Sequence, residues 1–286
     1  MITARTDVFG VMGFPAGHSL SPQIHDYFAR KTGQDMCYAA FCVLPGRLGE
    51  AVAGAHSLGI KGLNVTIPHK QACLPFLSRL DETARRSGAA NTLVYEENGY
   101  AGYNTDYFGM HMSLKALGAD LKGKSVVIIG AGGTAHTACV MAADMGASSI
   151  TIANRTPENA ESLAGRAGAL CGLPVTAAPL SGLQGIARKD IVIQTSSAGF
   201  KDQADICPVE SESFFEGVSA ALELIYVPWE SKFLRMAKSK GVPAANGFPA
   251  LVFQAAASFE IWRGVVFTED FLRQAAADLE TLARPA

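Results

Sequence analysis

The chain has 286 residues, 49% of them hydrophobic and 17% charged, which is enough for about two domains and far too apolar for a disordered chain. Lys and Arg number 24 and Asp and Glu 26, a formal net charge of −2, so the basic excess of a general nucleic-acid binder is missing. Cys37, Cys42, Cys73, Cys139, Cys171 and Cys207 form no CxxC pair and no zinc-spaced cluster with histidine, so they read as small apolar residues of a reducing compartment and no metal site is expected.

The N-terminal MITARTDVFGVMGFP is too poor in apolar residues for a signal peptide, and no apolar run reaches the ~18 residues of a membrane span. The expected address is the cytoplasm, with no membrane partner. Short β-branched runs then follow one another: VFGVM (8–12), YAAFCV (38–43), GLNVT (62–66), TLVYE (92–96), SVVIIG (125–130), SITIAN (149–154), DIVIQT (190–195) and AALELIY (220–226). Amphipathic stretches between them predict helices over 21–31, 47–58, 106–117 and 134–145, with two more around 248–263 and 268–283. This alternation predicts a parallel α/β architecture. The expected division is a first domain of residues 1–105 and 248–286, closed by the C-terminal helices, and a second of residues 106–247.

SVVIIG followed by AGGTA reads as a buried strand, a glycine turn and a helix start. Gly130-x-Gly132-x-x-Ala135 fits the dinucleotide fingerprint: Gly130 permits the tight turn, Gly132 lets the backbone approach a pyrophosphate, and Ala135 lets helix and strand pack closely. The helix N-terminus adds free N–H groups and the positive end of its dipole. The next strand ends in Asn154-Arg155-Thr156, where an NAD enzyme carries a carboxylate for the ribose 2′-hydroxyl. Arg155 can instead pair with a 2′-phosphate, which predicts NADP over NAD. The competing reading is a solvated arginine at a strand end.

Four polar clusters precede the fingerprint: Ser19-x-Ser21-Pro22, Asn64-x-Thr66-x-Pro68-x-Lys70, Gly88-Ala-x-Asn91-Thr92 and Asn104-Thr105-Asp106. Each residue has an ordinary structural reading as well. Ser21 before Pro22 suits a helix N-cap, Asp106 suits a cap for the helix that follows, and a lysine is usually a solvated surface charge.

In this order before the glycine fingerprint, the four clusters closely resemble the shikimate dehydrogenase family, and Tyr226, Gly247, Gln254 and Phe259 agree with it. The resemblance implies an N-terminal α/β substrate domain, a Rossmann NADP-binding domain and C-terminal helices returning to the first. It implies reversible reduction of 3-dehydroshikimate to shikimate with NADPH, in aromatic amino acid biosynthesis, by a monomer or homodimer. It implies that Ser19 and Ser21 hold the substrate carboxylate with Tyr226 nearby, and that Thr66, Asn91, Asp106 and Gln254 bind ring hydroxyls. Lys70 would be the acid/base and Asp106 its partner. The cofactor would lie on Gly130, Ala131, Gly132, Gly133, Thr134, Asn154, Arg155, Thr156, Thr195, Ser196, Leu224 and Gly247.

Four positions depart from the family pattern. Tyr107 replaces a glycine, Gln194 an asparagine, Glu223 an aspartate and Ala250 a methionine. Tyr107 and Ala250 are expected to border the site. A related dehydrogenase acting on quinate, an aminoshikimate or another cyclic hydroxy acid therefore stays open, as does a ligand-binding protein of the same fold without turnover.

Overall fold

In the computed structural model, which describes residues 2–200 and 203–284, the chain forms two compact units. The first comprises residues up to Asp106 together with Val252–Leu282, and the second spans Tyr107–Leu251 with Ala283 and Arg284.

The first unit begins with β1 (Asp7–Gly13), α1 (Ser21–Thr32), β2 (Met36–Cys42), α2 (Leu48–Ser57) and β3 (Gly62–Val65). It continues through β4 (Arg79–Leu80), α3 (Glu82–Ser87), β5 (Thr92–Glu96) and β6 (Gly99–Tyr103). The strands form one sheet in the order β2-β1-β3-β5-β6-β4. Here the parallel expectation fails in part. β5 runs antiparallel to both β3 and β6, because Glu97 and Asn98 close a two-residue hairpin onto Gly99, whose φ of 136° only glycine adopts readily. Met12, Val52, Leu63, Val65, Leu93 and Tyr100 form a buried core on one side of the sheet.

The second unit follows with α4 (Asp106–Ala116, whose first residue belongs to the first unit), β7 (Ser125–Ile129), α5 (Gly133–Asp144), β8 (Ser149–Asn154), α6 (Pro157–Cys171) and β9 (Val175–Pro179). It then adds β10 (Ile191–Gln194), β11 (Ala220–Glu223), α7 (Lys232–Ser239) and β12 (Ala244–Ala245). All pairings in its sheet are parallel, in the order β12-β11-β10-β7-β8-β9. The residues of β7 and β10 are buried throughout, as befits parallel strands covered on both faces. The chain leaves β7 for β8 and β9 on one side and returns to β10 on the other. The crevice beyond the carboxyl ends of β7 and β10 is therefore the topological switch point of a doubly wound sheet, where such folds bind ligands.

α8 (Phe248–Arg263) and α9 (Glu269–Leu279) end the chain. From Val252 on they belong to the first unit. Phe259 packs against Phe28 and Phe267 in tilted ring pairs, with centroids 5.8 Å apart in both. The Trp262 indole N–H donates to Leu93 O at 2.9 Å, and its ring occupies the space a Cβ on Gly62 would need. Arg263 donates to Asp7 of β1 at 2.5 Å. Burying each such aromatic side chain contributes about 1.5–3 kcal/mol. No helix among the described residues is long and apolar enough to cross a membrane.

Candidate active site

Lys70 is placed by the turn that follows β3. The His69 N–H donates to Thr66 O at 2.8 Å, and the Ala90 N–H donates to Lys70 O at 2.8 Å, which ties the turn to the segment leading into β5. The Lys70 ammonium donates to Asp106 Oδ2 at 2.5 Å, and the two side chains are only 20% and 14% exposed. Lys70 is thus not a solvated charge. Asp106 opens α4, but its carboxylate faces this ammonium and the amide of Asn91, which donates to Oδ1 at 2.9 Å. An ammonium has three donors, so the pair keeps N–H capacity for a substrate oxygen while its charges are neutralised locally.

Asn91 joins these groups. Its Nδ2 also donates to Gln254 Oε1 at 3.1 Å, and its Oδ1 accepts from the Thr105 N–H at 2.7 Å. With Asn91 2% and Gln254 9% exposed, the amides are fixed rather than mobile. Beneath them Asn64, Thr92 and Thr105 of the polar clusters form a buried layer with Ser258, which sequence reasoning did not single out. Thr92 and Thr105 are linked to the Ser258 hydroxyl at 2.7 and 3.1 Å, and Asn64 Nδ2 donates to it at 3.0 Å. Ser258 stands four residues after Gln254 on α8, hence on the same helix face. That spacing was the one available signal.

Ser19 and Ser21 are also brought together, the Ser19 hydroxyl donating to Ser21 Oγ at 3.1 Å. The capping alternative for Ser21 is not realised. Ser21 is the first residue of α1, Leu20 precedes it without a side-chain cap, and the Ser21 hydroxyl oxygen accepts from Ser19 instead. Thr66, half-buried, sits at the end of β3 in the same unit. Tyr226 belongs to the second unit, where its ring lies 6.1 Å from that of Phe248 and burial raises its phenol pKa.

In the second unit, the turn after β7 brings Gly130 against the loop after β10. A Cβ on Gly130 would fall 2.5 Å from Thr195 Oγ1, and its φ is 115°. Thr195 is held by its N–H and hydroxyl, both donating to Ile129 O at 2.8 Å. The Ser196 N–H donates to Gln194 Oε1 at 2.5 Å. Gly132 caps α5, and a Cβ there would meet nothing within 4 Å, so open space faces the helix N-terminus formed by Gly133 and Thr134. Ala131 is half-buried on the same turn, and Ala135 is fully buried. At the end of β8, Asn154 Nδ2 donates to Thr156 O at 3.0 Å, while Arg155 is exposed and in no ion pair among the described residues. The Gly247 N–H donates to Ile225 O at 2.9 Å, and its Cα lies so close to the Leu224 backbone that no side chain fits.

Two departures have structural explanations. Tyr107 packs on the core of the second unit, and its hydroxyl donates to Asp144 Oδ2 at 3.2 Å, at the end of α5 opposite the glycine turn. Its ring is therefore committed to packing, against the expectation that it borders the site. Glu223, fully buried at the end of β11, accepts from the Ser231 hydroxyl at 2.5 Å, and burial pushes its carboxyl up to about 7. Among the described residues there is no cluster that could hold a metal ion.

Residues 11–93 match the shikimate dehydrogenase substrate binding domain, and residues 112–201 match shikimate / quinate 5-dehydrogenase. The shikimate dehydrogenase (NADP(+)) of Moorella thermoacetica is 40% identical over 92% of this chain and 90% of its own length. The crystal structure of a chorismate mutase/shikimate 5-dehydrogenase fusion protein from Clostridium acetobutylicum is 32% identical, with a TM-score of 0.89 over 98% of this chain and 99% of that one. Shikimate 5-dehydrogenase from Thermus thermophilus, solved in complex with NADP(H) and shikimate, is 31% identical, with a TM-score of 0.83 over 96% of this chain and 99% of that one. The polar clusters around Lys70 and the glycine turn after β7 thus stand in a chain whose whole length aligns with such enzymes: it belongs to the shikimate dehydrogenase family.

Proposed function

We propose that this chain is an NADP-dependent shikimate dehydrogenase that reversibly reduces 3-dehydroshikimate to shikimate, with Lys70 and Asp106 as its acid–base pair. The observation that carries the reading is the Lys70–Asp106 ion pair, fixed by Asn91 and Gln254 at the rim of a buried polar layer. A surface lysine needs no such support.

The residues present fit NADP. The open space at Gly132 admits a pyrophosphate to the α5 N-terminus, and Arg155, exposed and with no carboxylate partner among the described residues, is available to a 2′-phosphate. Gly133, Thr134, Asn154 and Thr156 line the same two turns, while Thr195, Ser196, Leu224 and Gly247 lie at the ends of the strands beyond β7. When bound, NADPH supplies the hydride that reduces the ketone.

The chain's own residues do the rest. As the carbonyl carbon gains the hydride, the C=O π pair moves onto oxygen. The Lys70 ammonium stabilises that charge and gives it a proton, becoming a neutral amine that solvent reprotonates. Asp106 orients the ammonium and accepts from a ring hydroxyl, and Asn91, Gln254 and Thr66 present further polar groups to the ring. Ser19 and Ser21 offer hydroxyls to the substrate carboxylate, and the Tyr226 phenol is a further group for it. The same activity supports a place in aromatic amino acid biosynthesis in the cytoplasm, a compartment that suits the free thiols of Cys73 and Cys139.

Steady-state rates with shikimate and quinate, each with NADP and NAD, test the reading. The expected result is the highest kcat/KM with shikimate and NADP. Lys70→Ala should lower kcat about 10²–10⁴-fold, with a much smaller change in KM. Faster turnover of quinate would reassign the substrate. An unchanged kcat in Lys70→Ala would remove Lys70 from catalysis.

A further inference from the structure

Gln194 ends β10 with its backbone held from both sides. The N–H of Thr195, just beyond it, donates to Ile129 O of β7 at 2.8 Å, and its own carbonyl accepts from the Leu224 N–H after β11 at 2.9 Å. Its side chain is fully buried and takes no part in the roles assigned above. The amide runs forward along the loop that follows. Oε1 accepts from the Ser196 N–H at 2.5 Å, and Nε2 donates to Ala198 O at 3.0 Å. A backbone N–H can only donate and a backbone carbonyl can only accept, so the orientation of the amide is unambiguous. Within the same loop the Ser196 hydroxyl oxygen accepts from the Ala198 N–H at 3.3 Å.

Accepting from the N–H two residues on is the habit of asparagine, which closes an Asx turn there. Glutamine has one methylene more, and here it also reaches Ala198. Gln194 thus fixes the loop at two points beyond Thr195, which is already tied to Ile129 by its N–H and hydroxyl. A Cβ on Gly130 would stand 3.1 Å from the Ser196 nitrogen, so the amide group that Gln194 holds is packed against the glycine turn at the switch point. The order β10-β7-β8 puts this loop on one side of that turn and Arg155, after β8, on the other. A dinucleotide with its 2′-phosphate at Arg155 and its pyrophosphate at the α5 N-terminus therefore carries its nicotinamide half over this loop.

We infer that Gln194 is a positioning residue for the nicotinamide half of NADP: its side-chain amide holds the loop after β10 in the shape on which that half is seated. The inference rests on the reading of the glycine turn and Arg155 as the NADP site. Ser196 and Ala198 are only half-buried. Without the amide, their N–H and C=O groups turn to water and the loop samples other shapes, so NADP has to order it on binding. The loss falls on the half of the cofactor that meets the loop, and the adenosine half beyond the turn is spared.

The test is Gln194→Met in the full-length protein. Methionine fills the buried space with an unbranched side chain of similar length but has no amide. Dissociation constants for NADP and for adenosine 2′-phosphate alone are measured by calorimetry, with the shikimate KM and the melting temperature alongside. NADP should bind roughly tenfold more weakly, about the loss of two hydrogen bonds, while the affinity for adenosine 2′-phosphate and the shikimate KM stay within about twofold. Gln194→Asn keeps the turn to Ser196 and loses the reach to Ala198, so its NADP affinity should fall between those of the parent and Gln194→Met. Unchanged NADP affinity in Gln194→Met would overturn the inference while the NADP reading stands. Equal weakening of NADP and adenosine 2′-phosphate, with a lower melting temperature, would mark Gln194 as merely structural and overturn it as well. If Arg155→Ala leaves both affinities unchanged, the reading of the NADP site fails and the inference with it.

Discussion

Replacing Glu223 by glutamine should remove a destabilisation that grows with pH. Glu223 is 1% exposed, and burial raises its carboxyl from 4.5 to about 7. The folded chain therefore holds a proton that the unfolded chain releases near pH 4.5. As the pH rises from 4.5 towards 7, the unfolded state is favoured progressively, and above 7 the cost is constant. The full cost is about 3 kcal/mol. Glutamine keeps an acceptor for the Ser231 hydroxyl, which in turn caps α7 by accepting from the Leu234 N–H at 3.2 Å, but it never ionises. The stability difference between variant and parent should thus increase by about 2 kcal/mol from pH 5 to pH 8, and level off above. Denaturant unfolding at pH 5, 6, 7, 8 and 9, followed by a probe in the second unit, measures it. A difference that is flat across this range would refute the argument, and so would one that shrinks as the pH rises.

Two further outcomes follow from the second unit. Arg155→Ala should raise KM for NADP tenfold or more, about the loss of one charge-assisted hydrogen bond at an exposed site, while KM for NAD changes less than about threefold; equal effects on both cofactors would contradict the 2′-phosphate assignment. Gly247→Ala should lower the melting temperature by about 5–10 °C, since its Cβ would fall on the Leu224 backbone, which has no room to yield. Gly54→Ala, on an exposed turn of α2 with nothing within 4 Å of the added Cβ, is the control and should leave the melting temperature unchanged or slightly higher.

The runs that became β1, β3, β7, β8, β10 and β11 were legible because interior parallel strands are continuous β-branched or apolar segments bounded by turns. β6 was not, since GYAGY lacks that composition and is held by its hairpin with β5. The Asn-Gly at its start was an unread turn signal. β9 was missed at the sheet edge, where VTAAP is half exposed and ends in proline. In the site, Lys70, Asn91 and Asp106 stood out because their motifs fall at strand ends. Asn64, Thr92 and Thr105 stood in the same motifs, but the layer they form through Ser258 did not show, because its contacts are remote in sequence. Asn64 meets Ser258 across 194 residues, and no local pattern encodes that pairing. At Ser21 the local rule favoured a cap, but α1 begins on Ser21 itself, with Leu20 before it, and the Ser21 hydroxyl accepts from its neighbour Ser19.

The second unit is one unbroken stretch of chain, whereas the first needs both the residues before Asp106 and those after Val252. On the ribosome this imposes a timetable. All of the parallel sheet from β7 to β12 has been synthesised before Phe259 and Trp262, which the first sheet needs for its covering, leave the exit tunnel. The second unit can fold during translation, while the first waits with Phe9, Phe28 and its β2 edge uncovered until the last segment is released. A nascent chain stalled so that residues up to about 250 have cleared the tunnel would therefore carry a protease-resistant dinucleotide unit behind a protease-sensitive N-terminal third, and chaperone demand should fall on that third alone.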